Sequence, residues 1–214
     1  MAVRRTLFAR ELMNASNSSQ SPATVVMNEE SVAEAIRRMA REIAAAHPSM
    51  DGVVLLGILR RGRPLADRLA AELERMTGQR PKVGTLATSL YRDDVRAGVR
   101  AAKAGGATHF DFNVTGVTVI LVDDVIMAGR TARAAMDEVM DYGRPRRIQL
   151  ACLVDRGARE LPIQPDFCGG YCASDPQDHV SVLLTEVDGA DSVLLEQGDS
   201  PEPAPDNEDS ESHE

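Results

Sequence analysis

Tryptophan is absent from this 214-residue chain, and other aromatics are scarce: four Phe and three Tyr. Stacking the bases of a single strand needs aromatic faces in series, so a platform of that kind is excluded. Long apolar runs are lacking too, and none approaches the roughly 20 residues that cross a bilayer. Cysteine is limited to Cys152, Cys168 and Cys172. With no secretory signal in view, so low and odd a count points to reduced thiols and a cytoplasmic setting rather than a disulfide framework. Cys168-Gly-Gly-Tyr-Cys172 could offer two thiolates to zinc, but no second Cys/His pair is spaced to complete the four ligands.

One further absence is local. From Gly198 to Glu214 there is no Lys or Arg, while Asp199, Glu202, Asp206, Glu208, Asp209, Glu211 and Glu214 supply seven acids. Without those seven the formal charge of -9 becomes -2, so the rest of the chain is nearly balanced and has room for a local basic face. The Pro/Ser/Asp/Glu composition of 198–214 reads as a disordered, solvating tail. Residues 1–22 carry Arg4, Arg5 and Arg10 ahead of a Ser/Asn/Gln stretch. Glu11 argues against a targeting segment there, and a flexible extension is expected. One domain over 23–197 remains, long enough to bury a core.

Within it, strand and helix patterns alternate. Thr24–Met27 reads as a short strand, and Asn28 caps a helix whose apolar stripe is Val32, Ile36, Met39 and Ile43. Arg37, Arg38 and Arg41 fall largely on its other side, as a solvated face or a nucleic-acid contact. Residues 52–58 form a buried strand, and Pro64 opens a helix carrying Leu65, Leu69 and Leu73. Further strands are expected at 81–90 and 146–154. Short strands at 180–186 and 192–195, around the turn Asp188-Gly189, are expected to complete the same sheet. Residues 95–115 are rich in Gly and Ala, and a loop that long is usually functional or disordered. A flap closing over a reactive sugar would exclude water, and 111–114 would return the chain to the sheet. The alternation predicts an α/β fold with a doubly wound, mostly parallel sheet.

The most informative stretch runs from Val117 to Asp141. An apolar run suited to a doubly buried strand ends in Asp123-Asp124, and Ala128-Gly129-Arg130-Thr131 then opens a helix. Ala135, Met136, Val139 and Met140 are expected on its apolar face, with Gly143 and Pro145 ending it. Open α/β sheets bind ligands at this edge. Free N–H groups at a helix start favour phosphate, while paired carboxylates suit diol hydroxyls or a metal. The turn lacks the Gly-Lys-Ser/Thr ending of a nucleotide P-loop, and no Gly-x-Gly-x-x-Gly precedes it. Carboxylates beside an anion cradle describe a sugar phosphate; the plainer alternative is a buried strand that meets a charged turn. Upstream, Leu59-Arg60-Arg61-Gly62-Arg63 repeats the design with guanidinium forks, which also suit an anion.

Val119 to Thr131 resembles the phosphoribosyl-pyrophosphate (PRPP) signature of type I phosphoribosyltransferases. Ser89–Asp94, Gly143–Ala151 and Leu153–Ile163 resemble more narrowly the bifunctional pyrimidine-operon regulators that also act as uracil phosphoribosyltransferases. The likeness spans about Thr24 to Leu195 and implies the type I fold, with a flexible flap and a small hood. It implies conversion of uracil and PRPP to UMP and pyrophosphate with Mg²⁺, binding of pyrimidine-operon mRNA leaders, and assembly as a homodimer or larger homo-oligomer. By position, Asp123, Asp124 and Arg92 would be catalytic, and Val125, Ile126, Met127, Ala128, Gly129, Arg130 and Thr131 would surround the ribose phosphate. Arg60 and Arg61 would line the pyrophosphate turn, Tyr91 would begin the flap, and Val154 and Arg156 would face uracil. Arg37, Arg38 and Arg159 would remain for RNA. The family usually has Thr where this chain has Ala128, His where it has Ala158, and basic residues within 169–178. Each departure removes a hydrogen bond or a phosphate contact. A UMP-sensing RNA-binding regulator with little catalysis, or a phosphoribosyltransferase for another base, are the alternatives.

Overall fold

The computed structural model describes residues 23–88, 107–175 and 177–198. The expectations for the extension 1–22, for Tyr91, Arg92 and the rest of 89–106, and for the acidic tail 199–214 lie outside the described residues. Five parallel strands make the main sheet, in the order β3 (Lys82–Leu86), β2 (Val53–Ile58), β4 (Thr118–Ile126), β5 (Arg147–Asp155), β6 (Phe167–Cys168). Helices α1 (Glu29–Ala46) and α2 (Gly62–Thr77) cover one face and α3 (Arg130–Tyr142) covers the other. Alternation along β2 and β4 builds both cores: Leu55, Ile120 and Val122 pack with Val32, Ile43, Leu69 and Leu73, while Leu56 and Leu121 pack with Ala135 and Val139. This is why β4 reads as an unbroken apolar run. From β2 the chain steps to β3 on one side and to β4 on the other. The order therefore reverses between β2 and β4, and the crevice at their carboxyl ends is the expected ligand position.

Several sequence expectations are corrected. The strands near the C-terminus do not complete the main sheet. β7 (His179–Leu183) and β8 (Ser192–Glu196) join β1 (Thr24–Met27) in a separate antiparallel sheet ordered β1-β8-β7, with the single turn α4 (Thr185–Asp188) between β7 and β8. Alternation marks a strand but not its partner, and Thr24 pairs with Leu195 from the far end of the domain. This sheet is the hood. Residues 111–114 form no strand; the return is one antiparallel bridge, Thr85 to His109, followed by Phe110 and Phe112 stacked at 5.2 Å on the α3-side core. Met140 is 43% exposed, because the helical face that meets the sheet passes through Ala132, Ala135 and Val139. β4 also does not stop at the acids. It pairs with β5 as far as Ile126, so Asp123 and Asp124 lie within a strand that holds their backbone.

Candidate active site

Three helix starts show how the molecule treats its free N–H groups. At α1, Asn28 Oδ1 accepts from Ser31 N at 2.9 Å, an ordinary cap. At α2 and α3 no side chain caps the first turn. Both of those open after the carboxyl ends of β2 and β4, at the reversal of strand order, which puts their first turns at the edge where such sheets bind ligands. Gly129 supports this at α3 with φ 90°, a left-handed backbone that glycine adopts without steric cost.

The two turns meet. Gly62 packs so tightly on β4 that an added Cβ would run into the Val122 carbonyl oxygen, one residue before Asp123. Gly57, near the end of β2, has the same relation to the backbone of Gly62 and Arg63. The Leu59–Arg60 peptide in this turn is cis, and Leu59 N donates to Leu86 O at 2.9 Å. The arginine turn thus stands beside the acid pair, on one edge of the sheet.

A cavity of about 360 Å³ runs from Asp123 to the helix start, lined by Asp123, residues 125–132, Cys152 and Glu160; Asp124, Arg60 and Arg61 do not line it. Asp123 is only 7% exposed, and its Oδ1 accepts from Asp124 N at 3.1 Å. Asp124 Oδ1 accepts in turn from Val125 N at 3.0 Å. Arg130 reaches from the helix start to Glu160 Oε2 through Nε at 2.8 Å and Nη2 at 2.5 Å. The floor is Cys152. Burial, with Asp123 adding to it, pushes its thiol well above the usual range, which keeps it neutral and a poor nucleophile.

The segment after β5 braces this turn. Glu160 N and Leu161 N both donate to Ala128 O, at 3.1 and 3.0 Å, and Arg156 N donates to Ile126 O at 2.9 Å. Arg159, expected to contact RNA, has only 12% of its side chain exposed and is committed internally. It donates to Met127 O at 2.9 Å, to Ile163 O at 2.7 Å and to Asp155 Oδ2 at 2.7 Å. Arg156, expected to face uracil, is buried, with its guanidinium on Ser174 Oγ and the carbonyls of Asp175 and Asp178. Val154 is buried in the α1/α2-side core rather than on the cavity wall. A charged group with no solvated route outward is more stable on nearby carbonyls, which redirects both arginines inward. Arg37 and Arg38 remain at the surface of α1. Arg37 bonds Glu34 at 2.9 Å, and Arg38 donates to the carbonyls of Cys168 and Gly169.

Sequence reasoning did not assign Glu160, Ala132 or Cys152 to the cavity. Nor did it foresee that Arg61 pairs with Asp188 of the hood, at 3.1 and 2.9 Å. Glu160 and Asp188 lie 30 and 127 residues from their arginine partners, so no local pattern could reveal either pair.

Known proteins resemble this chain in sequence and in fold. Residues 25–184 match the model of the phosphoribosyl transferase domain. The "Bifunctional protein PyrR" of Clostridioides difficile is 42% identical over 172 residues, covering 80% of this chain and 97% of the relative. The protein of the same name from Roseiflexus sp. is 47% identical over 172 residues, covering 79% and 93%. Among solved structures, a Trypanosoma cruzi hypoxanthine phosphoribosyl transferase aligns with TM-score 0.63 at 13% identity, over 85% of this chain and 94% of that one. At that identity the likeness concerns the fold alone.

Proposed function

The chain belongs to the phosphoribosyl transferase family and, within it, to the PyrR bifunctional proteins, and from that membership we propose that it joins uracil to PRPP. It is a phosphoribosyltransferase. In the proposed reaction the bond from C1′ to the pyrophosphate oxygen breaks, uracil N1 bonds to C1′, and the N1 proton is released with formation of UMP. The observation that carries this reading is a pair of helix starts without a side-chain cap after the neighbouring parallel strands β2 and β4, with Gly62 packed on Val122 beside the acid pair. The α3 start and Thr131 would hold the 5′-phosphate, and Asp123 and Asp124 would hold the ribose hydroxyls and favour positive charge developing on the ribose. Arg60, Arg61 and the α2 start would receive the departing pyrophosphate. Such a site works by positioning and electrostatics, with no protein nucleophile.

Mg²⁺ fits the donor set, because Asp123 and Asp124 offer the hard oxygens it prefers. Among the described residues no group of three or more His, Cys, Asp or Glu side chains could hold a metal alone, so substrate oxygens would provide most of its ligands. Bound there, Mg²⁺ would neutralise charge on the leaving pyrophosphate.

The relatives' description as bifunctional proteins supports a second activity. We propose UMP-responsive binding of a pyrimidine-gene mRNA leader, with Arg37 and Arg38 on α1 as the surface arginines available to it, in a homodimer or larger homo-oligomer. Arg159 is better explained as a brace of the phosphate turn. Release of pyrophosphate that depends on uracil, with PRPP and Mg²⁺ supplied, tests the catalytic half. No release with uracil but release with another base would reassign the substrate, and UMP binding with no release at all would leave the sensing role.

A further inference from the structure

The hood meets the proposed pyrophosphate turn through the side chain of Asp188. We infer that Asp188 is a positioning residue: it fixes the Arg61 guanidinium in the orientation that the pyrophosphate end of PRPP meets. This rests on the pyrophosphate reading of the 59–63 turn.

Arg61 Nε donates to Asp188 Oδ2 at 3.1 Å and Nη2 donates to Oδ1 at 2.9 Å. Two parallel bonds fix the plane of the fork as well as its place. A guanidinium has five N–H donors, and this pairing uses two, so three remain for an anion. The carboxylate cannot swing freely, because Oδ2 also accepts from Leu184 N at 3.0 Å. The hood turn that carries it is itself anchored to α2. Arg68 lies seven residues beyond Arg61, close to two helical turns along the same face. It forks to Glu186 at 2.7 and 2.5 Å and to Asp191 at 2.5 and 2.8 Å. Asp191 Oδ1 further takes Thr185 N and Oγ1, at 2.7 and 2.8 Å. One helix face therefore grips the hood turn at two points, and the second grip presents Asp188 rigidly to the first. A long arginine side chain held in this way has already lost the rotamer freedom that binding would otherwise cost.

A carboxylate that merely occupied Arg61 until displaced would act in the opposite direction, since its removal would tighten binding. Calorimetric titration of the full chain in Mg²⁺ with PRPP, and separately with UMP, separates the two. Asp188→Ala should weaken PRPP about three- to tenfold, the equivalent of freezing one arginine, and leave UMP, which has no pyrophosphate, unchanged. Asp188→Asn, which keeps one acceptor, should fall between. In an Arg61→Ala background Asp188→Ala should add nothing. Equal or tighter PRPP binding by Asp188→Ala overturns the inference, as does equal weakening of UMP or an undiminished effect without Arg61. If Arg61→Ala itself leaves PRPP affinity intact while UMP still binds, it is the pyrophosphate reading of the turn that fails.

Discussion

At the scale of single residues, the proposed site separates groups that would touch substrate from groups that hold them in place. Asp124 is half-buried and its backbone is fixed by β4. Asp124→Asn keeps the size and one acceptor but removes the charge proposed to face the developing positive ribose. Turnover should be lost while the thermal midpoint stays within a few degrees, as steady-state assays and calorimetry on the same preparation would show. Ala128 poses the converse case. A Thr there would supply a hydroxyl to the proposed phosphate, worth about 1.5–3 kcal/mol. Ala128→Thr should therefore tighten UMP roughly tenfold or more by titration. An unchanged constant would mean that the backbone N–H groups already saturate the phosphate. Arg159 belongs to the holding set: Arg159→Ala leaves the Met127 and Ile163 carbonyls without their partner and should weaken UMP.

At the scale of elements, the close approach of α2 to the sheet is the controlling feature. Gly57 and Gly62 let the arginine turn lie directly on β2 and β4, where a methyl group would meet backbone rather than a side chain that could move aside. Gly62→Ala should displace the turn, raising the KM for PRPP far more than it weakens UMP. That split is readable from kinetics and titration together. The helix must also stay in place, and Leu69 is fully buried under it. Leu69→Ala should cost about 2–5 kcal/mol in denaturant unfolding, the usual range for a buried leucine truncated to a cavity.

For the whole molecule, the hood is joined to helix α2 by ion pairs with a defined pH dependence. Hydrogen bonds from Arg68 hold the Asp191 carboxyl at about 2, against an ordinary 3.8. Because the folded value is depressed, the stabilisation is complete above the unfolded value and is lost as pH falls from about 4 through 2. With partial solvent screening its size is roughly 1–2 kcal/mol. Unfolding measured across that window should show the wild-type slope, and Asp191→Asn should flatten it. RNA binding also belongs at this scale. If Arg37 and Arg38 contact leader phosphates, replacing both should make log K less steep against log salt by about 1.4, on a single-strand slope near -0.7 per contact.

The sequence by itself determined the local chemistry: an apolar run ending in two acids, a small-Gly-x-Thr turn, and an Arg-Arg-Gly turn ahead of a helix. These are short-range features, set by side-chain periodicity and by backbone freedom at glycine, so they survive being read one window at a time. Tertiary structure decided which distant groups complete them. The strands around the Asp188-Gly189 turn left the main sheet to pair with Thr24–Met27, and Arg159 turned inward to brace Met127. Asp188 and Glu160 reached arginines far away in the chain. Such pairings depend on desolvation and on the meeting of surfaces that exist only after the sheet has formed, and no spacing along the chain encodes them.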